Sequence, residues 1–449
     1  MNPLSATIAK LRQSNLVRGG LVVVAGILAG NVTGFFRVIV TAWFLGTHAR
    51  ADALAVAIGP IDTLTAAIIN TMLVSFVPML MAHRDSSRAA VFERARGVFV
   101  WILLAVSGSI ILFAPQIISV LGPGLAAEQH NEAVVLLRLI APATFFGGIS
   151  ALCSALLYTE RRFLMPALNQ VCINGSMIIG ALALWPVLGV KGFAIGYTAG
   201  SALQMSLTWF AGADLRRLGR LDREAPVALA DLLRTPGMFL LYASLISANV
   251  LVTRAFATHA GPGMAAAFDY CMRCAGVVIA YLVYPVANSL LPEIARLRTS
   301  GDSPQAWRLM NRSVAMMAIA SVVACLIGIV VRTPVIAFLF QRGSFTAQST
   351  VIVSAVFLGM APGIIGWTLL DLVSRCFFAL ERPKLPVIAA FIPVTVNLII
   401  MSILGKGASP ALLGVGMSAG LAVGFVGLFG ATRLRSGIAK PVPETVEVG

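Results

Sequence analysis

Long apolar runs, separated by short basic clusters, make up most of this chain. They cover about 19–46, 53–82, 97–122, 134–158, 165–188, 193–213, 236–258, 267–292, 313–332, 350–378, 385–405 and 410–432. Each reaches or exceeds the roughly 20 residues that a bilayer requires. Lipid offers no partner for a backbone N–H or C=O, so apolar runs of this length must be helices. The pattern therefore predicts an all-α integral membrane protein with about twelve transmembrane helices. Several runs are longer than the bilayer is thick, which implies tilt or extension into water.

Charge placement sets the expected orientation. With the N-terminus in the cytoplasm, the inner segments carry 23 of the 33 Lys and Arg residues and the outer segments only 5. An excess of Lys and Arg marks the cytoplasmic side, so both termini are expected inside. The remaining five, Arg37, Arg138, Arg254, Arg273 and Arg375, fall within the runs themselves. The net charge of +15 and a pI near 10.4 are then a topology signal and not a nucleic-acid footprint. Only 11% of residues are charged and the mean hydropathy is +0.91, so lipid is the expected solvent.

Enzyme and metal signatures are missing from the sequence. There is no P-loop, H-E-x-x-H or G-x-S-x-G, and no catalytic residue is expected. All six cysteines lie in apolar runs and read as small packing residues. Cys271 and Cys274 form a C-x-x-C without a second pair or a nearby histidine. The four histidines lack metal-ligand spacing, and no cofactor is implied.

The two halves of the chain echo each other. SFVPML at 75–80 resembles SLLPEI at 289–294, and Ala141-Pro142 recurs as Ala361-Pro362. Glu160-Arg161 before Pro166 recurs as Glu381-Arg382 before Pro386. Arg37 and Asp52 are spaced like Arg254 and Asp269, 217 residues further on. Six helices per half start both halves on the same membrane face, which implies two lobes related by an axis along the membrane normal. The expected organisation is an N-terminal lobe at 1–213, a cytoplasmic linker at 214–235, a C-terminal lobe at 236–432 and a cytoplasmic tail at 433–449.

Charges inside the runs are the candidate chemistry. Arg37 lies nine residues from the outer end of its run, about 13 Å at 1.5 Å per residue, too far for easy snorkelling. Thr33, Arg37 and Thr41 share one helical stripe beside Gly26, Gly30 and Gly34, a small-residue face suited to close helix packing. Arg37 should therefore face the protein interior, either in a structural ion pair or as an anion-binding group. Arg254 is its repeat partner; it either snorkels to the outer surface or faces Arg37 across a cavity between lobes. Two facing guanidiniums suit a diphosphate, whose oxygens they match in a bidentate way. Arg273 is a third candidate, with Asp269 one turn earlier as a possible partner. Asp62 and Asp371 are also intramembrane, and Asp371 and Arg375 at i, i+4 are placed to neutralise each other. Asp52 and Asp269 sit near the outer face, where capping of their own helices is an equally good account. Arg138, near a helix end, is expected to snorkel.

Taken together, these stretches resemble the MviN/MurJ-type lipid II flippases of the multidrug/oligosaccharidyl-lipid/polysaccharide exporter superfamily. The resemblance runs from about residue 20 to 430. It rests on G34-F35-F36-R37, A51-D52-A53, F76-V77-P78, L136-L137-R138-L139, R162-F163, L290-L291-P292 and R375-C376-F377-F378-A379-L380. The most specific piece is L339-F340-Q341-R342-G343-S344-F345-T346. It implies a two-lobed protein working by alternating access, carrying an undecaprenyl-diphosphate-linked saccharide across the bacterial inner membrane. It also implies that Arg37, Arg254 and Arg273 line the substrate cavity. The chain departs from the family pattern at Asn31, where an arginine is usual, at Val38 and Gly276, where acids are usual, and at Asp371, where a lysine is common. Some family members bind a cation through acids in the late helices, and runs eleven and twelve have none.

The leading expectation is a flippase for a polyprenyl-diphosphate-linked saccharide of the lipid II kind, with Na+ or H+ coupling and cell-wall or polysaccharide synthase partners as possible additions. Asn31, Asp52, Asp62, Asp269, Asp371 and Arg375 are candidates for supporting or coupling roles. One alternative is a flippase for an exopolysaccharide or O-antigen repeat unit. Others are a cation-coupled small-molecule exporter, for which Asp62 is the only deep acid in the N-terminal half, and a non-transporting membrane scaffold.

Overall fold

The computed structural model describes residues 3–72, 76–81, 85–218, 237–300, 302–380, 382–404 and 409–436. Among them there is no β-strand. The first half comprises α1 (Pro3–Leu45), α2 (Ala49–Thr71), α3 (Val77–Met81), α4 (Asp85–Leu112), α5 (Ala114–Leu121), α6 (Ala127–Ile140), α7 (Pro142–Thr159), α8 (Leu164–Ala167), α9 (Asn169–Leu188), α10 (Lys191–Ala211) and α11 (Ala213–Leu218). The second comprises α12 (Gly237–Ala257), α13 (Met264–Thr299), α14 (Ser303–Phe340), α15 (Ala347–Ala379), α16 (Lys384–Leu404) and α17 (Val415–Ser436). Most of the expected linker, and the tail beyond Ser436, lie outside the described residues.

Ten of these stretches are long and apolar enough to cross a membrane, with α6 and α7 counted as one around the bend at Ala141-Pro142. α10 and the shorter Leu241–Ala257 of α12 complete twelve passes among the described residues. The lower hydropathy of α10 has a structural cause: its buried face carries Ser201, Gln204 and Thr208, and a helix enclosed by protein need not be apolar all round. By contrast α14 exposes Ile319, Leu326, Val330 and Phe338, the surface expected against lipid.

The expected run at 53–82 is described as α2 to Thr71 and as α3 from Val77, with Pro78 in the first turn of α3, and residues 73–75 lie outside the described residues. One expected boundary changes. α14 spans Ser303–Phe340, well beyond the expected 313–332. Its N-terminal turns carry Arg308 and Arg312, where solvated side chains extend a helix past the hydrocarbon.

α1–α11 pack mainly on one another, as do α12–α17. In each group one asparagine ties the first long helix to a later one. Asn174 of α9 donates to the Gly30 carbonyl of α1, and Asn397 of α16 donates to the Asn249 carbonyl of α12. A single apolar core joins the two groups where α1 ends, bringing Val38, Ala42 and Leu45 together with Phe340 and Phe345. Towards the other end the core divides. Phe92, Leu103 and Leu152 form a cluster within the first group alone, and Tyr242, Val387 and Ala390 one within the second. The apolar core is thus shared at one end and separate at the other.

Candidate functional site: a guanidinium-lined cavity between two bundles

The glycine stripe of α1 fixes where Arg37 points. Gly26, Gly30 and Gly34 lie against α8 and α9, so closely that a Cβ on Gly30 would sit 2.8 Å from Gln170 Cβ. That contact turns Arg37 inward, where its side chain is 6% exposed and Nη1 donates to Met177 Sδ at 3.3 Å. Among the described residues no carboxylate lies within ion-pair reach of Arg37. Thr41 Oγ1 donates back to the Arg37 carbonyl at 2.9 Å, which satisfies the hydroxyl within α1.

Arg37 borders two adjoining cavities. One, of about 230 Å³, is also lined by Asp62, Arg254, Asp269 and Arg273. The other, of about 320 Å³, shares Arg37, Asp62 and Arg273 and adds Asn174 and Tyr197. Five of the candidate residues, drawn from both bundles, therefore meet at one place.

Their pairing differs from expectation. Asp269 does not pair with Arg273; its Oδ1 accepts from Arg254 Nε at 3.0 Å and Nη2 at 2.7 Å. Arg273 instead reaches across to Asp62 of α2, at 3.4 Å. The other oxygen of Asp62 accepts from the Tyr197 hydroxyl at 2.6 Å. Arg254 does not snorkel. Its Nη1 is buried without a partner among the described residues, pressed against Gly59 of α2, where any Cβ would overlap it. Tyr197, Met177 and Gly59 were not foreseen as part of the site.

Asp52 serves a different purpose. It is 1% exposed and accepts from the backbone N–H groups of Gly263 at 2.5 Å and Ala266 at 2.9 Å. It thus caps α13, in the other bundle, and not its own helix; a carboxylate is favoured there because the free N–H groups of a helix start carry partial positive charge. Gly263 takes φ +84°, a left-handed conformation costly for other residues, and a side chain would also strike Thr47. Four further hydrogen bonds close this end: Tyr270 hydroxyl to the Gly46 carbonyl at 2.8 Å, Ser344 N–H to the Trp43 carbonyl at 2.8 Å, Thr47 with Ser349 at 2.8 Å, and Gly124 N–H to Thr258 Oγ1 at 3.0 Å. Ser344 belongs to the most family-specific sequence stretch, and its backbone forms part of this seam.

The remaining candidates lie elsewhere. Asn31 is exposed on α1 and lines neither cavity. Asp371 and Arg375 pair at 3.0 Å, as their spacing predicts, and line a separate cavity of about 350 Å³ within the second bundle, beside Tyr242 and Trp367. All six cysteines are free, and no cluster of metal-ligating side chains occurs among the described residues.

Two helical bundles, sealed at one end around a charged central cavity, define a multi-pass membrane protein with the architecture of an alternating-access transporter. The family model of the lipid II flippase MurJ matches residues 41–441, and the chain belongs to that family. It is 27% identical to a probable lipid II flippase MurJ of Rhizobium meliloti, over 85% of this chain and 74% of the relative. It is 25% identical to the lipid II flippase MurJ of Burkholderia cenocepacia, over 96% and 86%. Among solved structures, a lipid II flippase MurJ in an inward closed conformation superposes with a TM-score of 0.79 at 21% identity, covering 92% of this chain and 87% of that one. An inward-facing multidrug resistance MATE family transporter of the MOP superfamily gives 0.75 at 12% identity, over 91% and 96%. These two likenesses establish the fold.

Proposed function

We propose that this protein is a flippase that carries a polyprenyl-diphosphate-linked saccharide of the lipid II kind across the cytoplasmic membrane. Family membership places it among transporters and not enzymes. The observation that carries the cargo class is the convergence of Arg37, Arg254 and Arg273, from both bundles, on one cavity. Guanidinium forks match phosphate oxygens, and a low-dielectric pocket strengthens each contact. A cationic drug would be repelled from the same place.

In this reading the bundles at 1–213 and 236–432 are the two lobes. Both termini face the cytoplasm, as the distribution of Lys and Arg favours, so the sealed end is periplasmic and the split end admits cargo from the inner leaflet. The diphosphate spans guanidiniums of both lobes. Rocking the lobes apart at the seam separates those guanidiniums and removes multipoint binding, so the cargo is released outward. The polyprenyl tail stays in the bilayer.

The test is rescue of a bacterial strain depleted of its own lipid II flippase, with Arg37→Ala expressed to equal level in the membrane. The parent should rescue and the variant should not. Equal rescue by both would refute the role of the cavity, and no rescue by the parent would refute a lipid II-like cargo.

A further inference from the structure

The central cavity holds three guanidiniums, of Arg37, Arg254 and Arg273, against two carboxylates, of Asp62 and Asp269. Its described side chains thus carry one net positive charge. A diphosphate diester brings two negative charges and leaves the filled cavity one negative in excess. Excess charge in a partly enclosed site is costly, and binding a proton at an ionisable group there relieves it.

The two carboxylates are not equal candidates. Asp269 holds two donors of Arg254 on one oxygen, both within the second bundle. Asp62 has a single 3.4 Å contact with Arg273, between bundles, and its side chain is 37% exposed, so cavity water reaches it. The groups facing it are Tyr197 of α10, Arg37 of α1, Arg254 of α12, and Asp269 and Arg273 of α13. α5, α6 and α7, which also pack on α2, bring no charged described residue to either cavity. An anion that takes Nη2 of Arg273 therefore competes directly for the only ion-pair contact of Asp62 among the described residues.

We propose that Asp62 is a proton-binding site linked to cargo: when the diphosphate takes the Arg273 guanidinium, Asp62 binds one proton from cavity water. This rests on the diphosphate cargo proposed above. One O–H bond forms on the carboxylate oxygen that Arg273 leaves as one O–H bond of a hydronium ion in the cavity water breaks, leaving water behind, and the filled cavity returns to zero net charge. Tyr197, 2.6 Å from the other oxygen, continues to donate to it. Release of the cargo returns Arg273 to Asp62 and expels the proton, so cargo and proton move through the cycle together.

The experiment uses the full chain in lipid nanodiscs and a short-chain prenyl diphosphate-linked N-acetylglucosamine, whose diester phosphates do not titrate near neutral pH. Binding is measured calorimetrically in two buffers of different ionisation enthalpy, which yields the protons taken up. The expected result is about one proton per ligand near neutral pH, with affinity tightening about tenfold for each unit of acidification. Asp62→Asn should bind with no uptake and no pH dependence, and Asp371→Asn, in the separate cavity, should keep the uptake. Absent uptake in the parent, or uptake surviving in Asp62→Asn, would overturn the proposal. If Asp62→Asn does not fold, the parent decides, because absent uptake there overturns the proposal whatever the variant does. Failure of the parent to bind at any pH would overturn the cargo reading together with this one.

Discussion

Asp52→Ala should loosen the sealed end of the molecule. The carboxylate accepts two backbone N–H groups at the start of α13, at 2.5 and 2.9 Å, and is buried between the bundles. A hydrogen bond to a charged acceptor contributes roughly 1.5–3 kcal/mol net. Water can replace both bonds once the seam opens, but not while it is shut. Removing the carboxylate therefore costs the closed state about 3–6 kcal/mol relative to the open one, roughly a 150- to 25,000-fold shift in the equilibrium. Thr47 is half-buried in the same seam, hydrogen-bonded to Ser349, and reports on it. A Thr47→Cys variant labelled by a membrane-impermeant maleimide should react at a rate proportional to the open fraction. Adding Asp52→Ala should then raise labelling at least about 150-fold, until the open form becomes the majority. An unchanged rate, with the double variant correctly inserted, would mean that Asp52 contributes nothing to closure.

Gly59→Ala should displace Arg254, because the added Cβ would overlap Nη1 and lie 2.8 Å from Cζ. Overpacking of this kind costs about 1–3 kcal/mol; the expected outcome is a lower melting temperature and lost rescue at matched expression, and full rescue with unchanged melting would contradict the placement of Arg254. At the surface, the Arg162 guanidinium holds the Asp214 carboxyl below its ordinary range. A depressed carboxyl contributes stability above its unfolded pKa and loses it as pH falls through the folded value. Both side chains are about half exposed, so Asp214→Asn should barely change the melting temperature at neutral pH, and any gap to the parent should close in acid; a gap that widens in acid would have the wrong sign.

The helices were legible because lipid leaves the backbone no choice, and the inward aim of Arg37 because 13 Å is too deep for its head to reach water. Pairing was not legible. The Arg37–Asp52 and Arg254–Asp269 spacings are identical, yet only the second pair bonds. Asp52 stands in the first turn of α2, where the start of α13 presents free N–H groups, and that contact runs between bundles. Sequence spacing records neighbours on one helix or an adjacent one, and it is blind to what a second bundle brings. Tyr197 and Asp62 are 135 residues apart and carry no mutual signal. Gly59 stands beside Pro60 within α2, and nothing in that spacing marks it as a seat for a guanidinium.

The three arginines then differ in a way that bears on how a flippase could bind and let go. Arg254 has a carboxylate from its own bundle, and no rocking of the lobes need disturb that pair. Arg37 has none among the described residues, so its charge is the one most available to an incoming anion. Arg273 has a carboxylate from the opposite bundle, held by one long contact. An anion entering the cavity can settle on Arg37 at no cost in broken ion pairs and must compete with Asp62 only for Arg273. That competition breaks a tie between the bundles in the act of binding. On the proposed diphosphate cargo, cargo and seam would be opposed: the seam at the Asp52 end holds the bundles together, and a diphosphate bridging Arg37 and Arg273 would replace the Asp62 tie with one that exists only while the cargo is present.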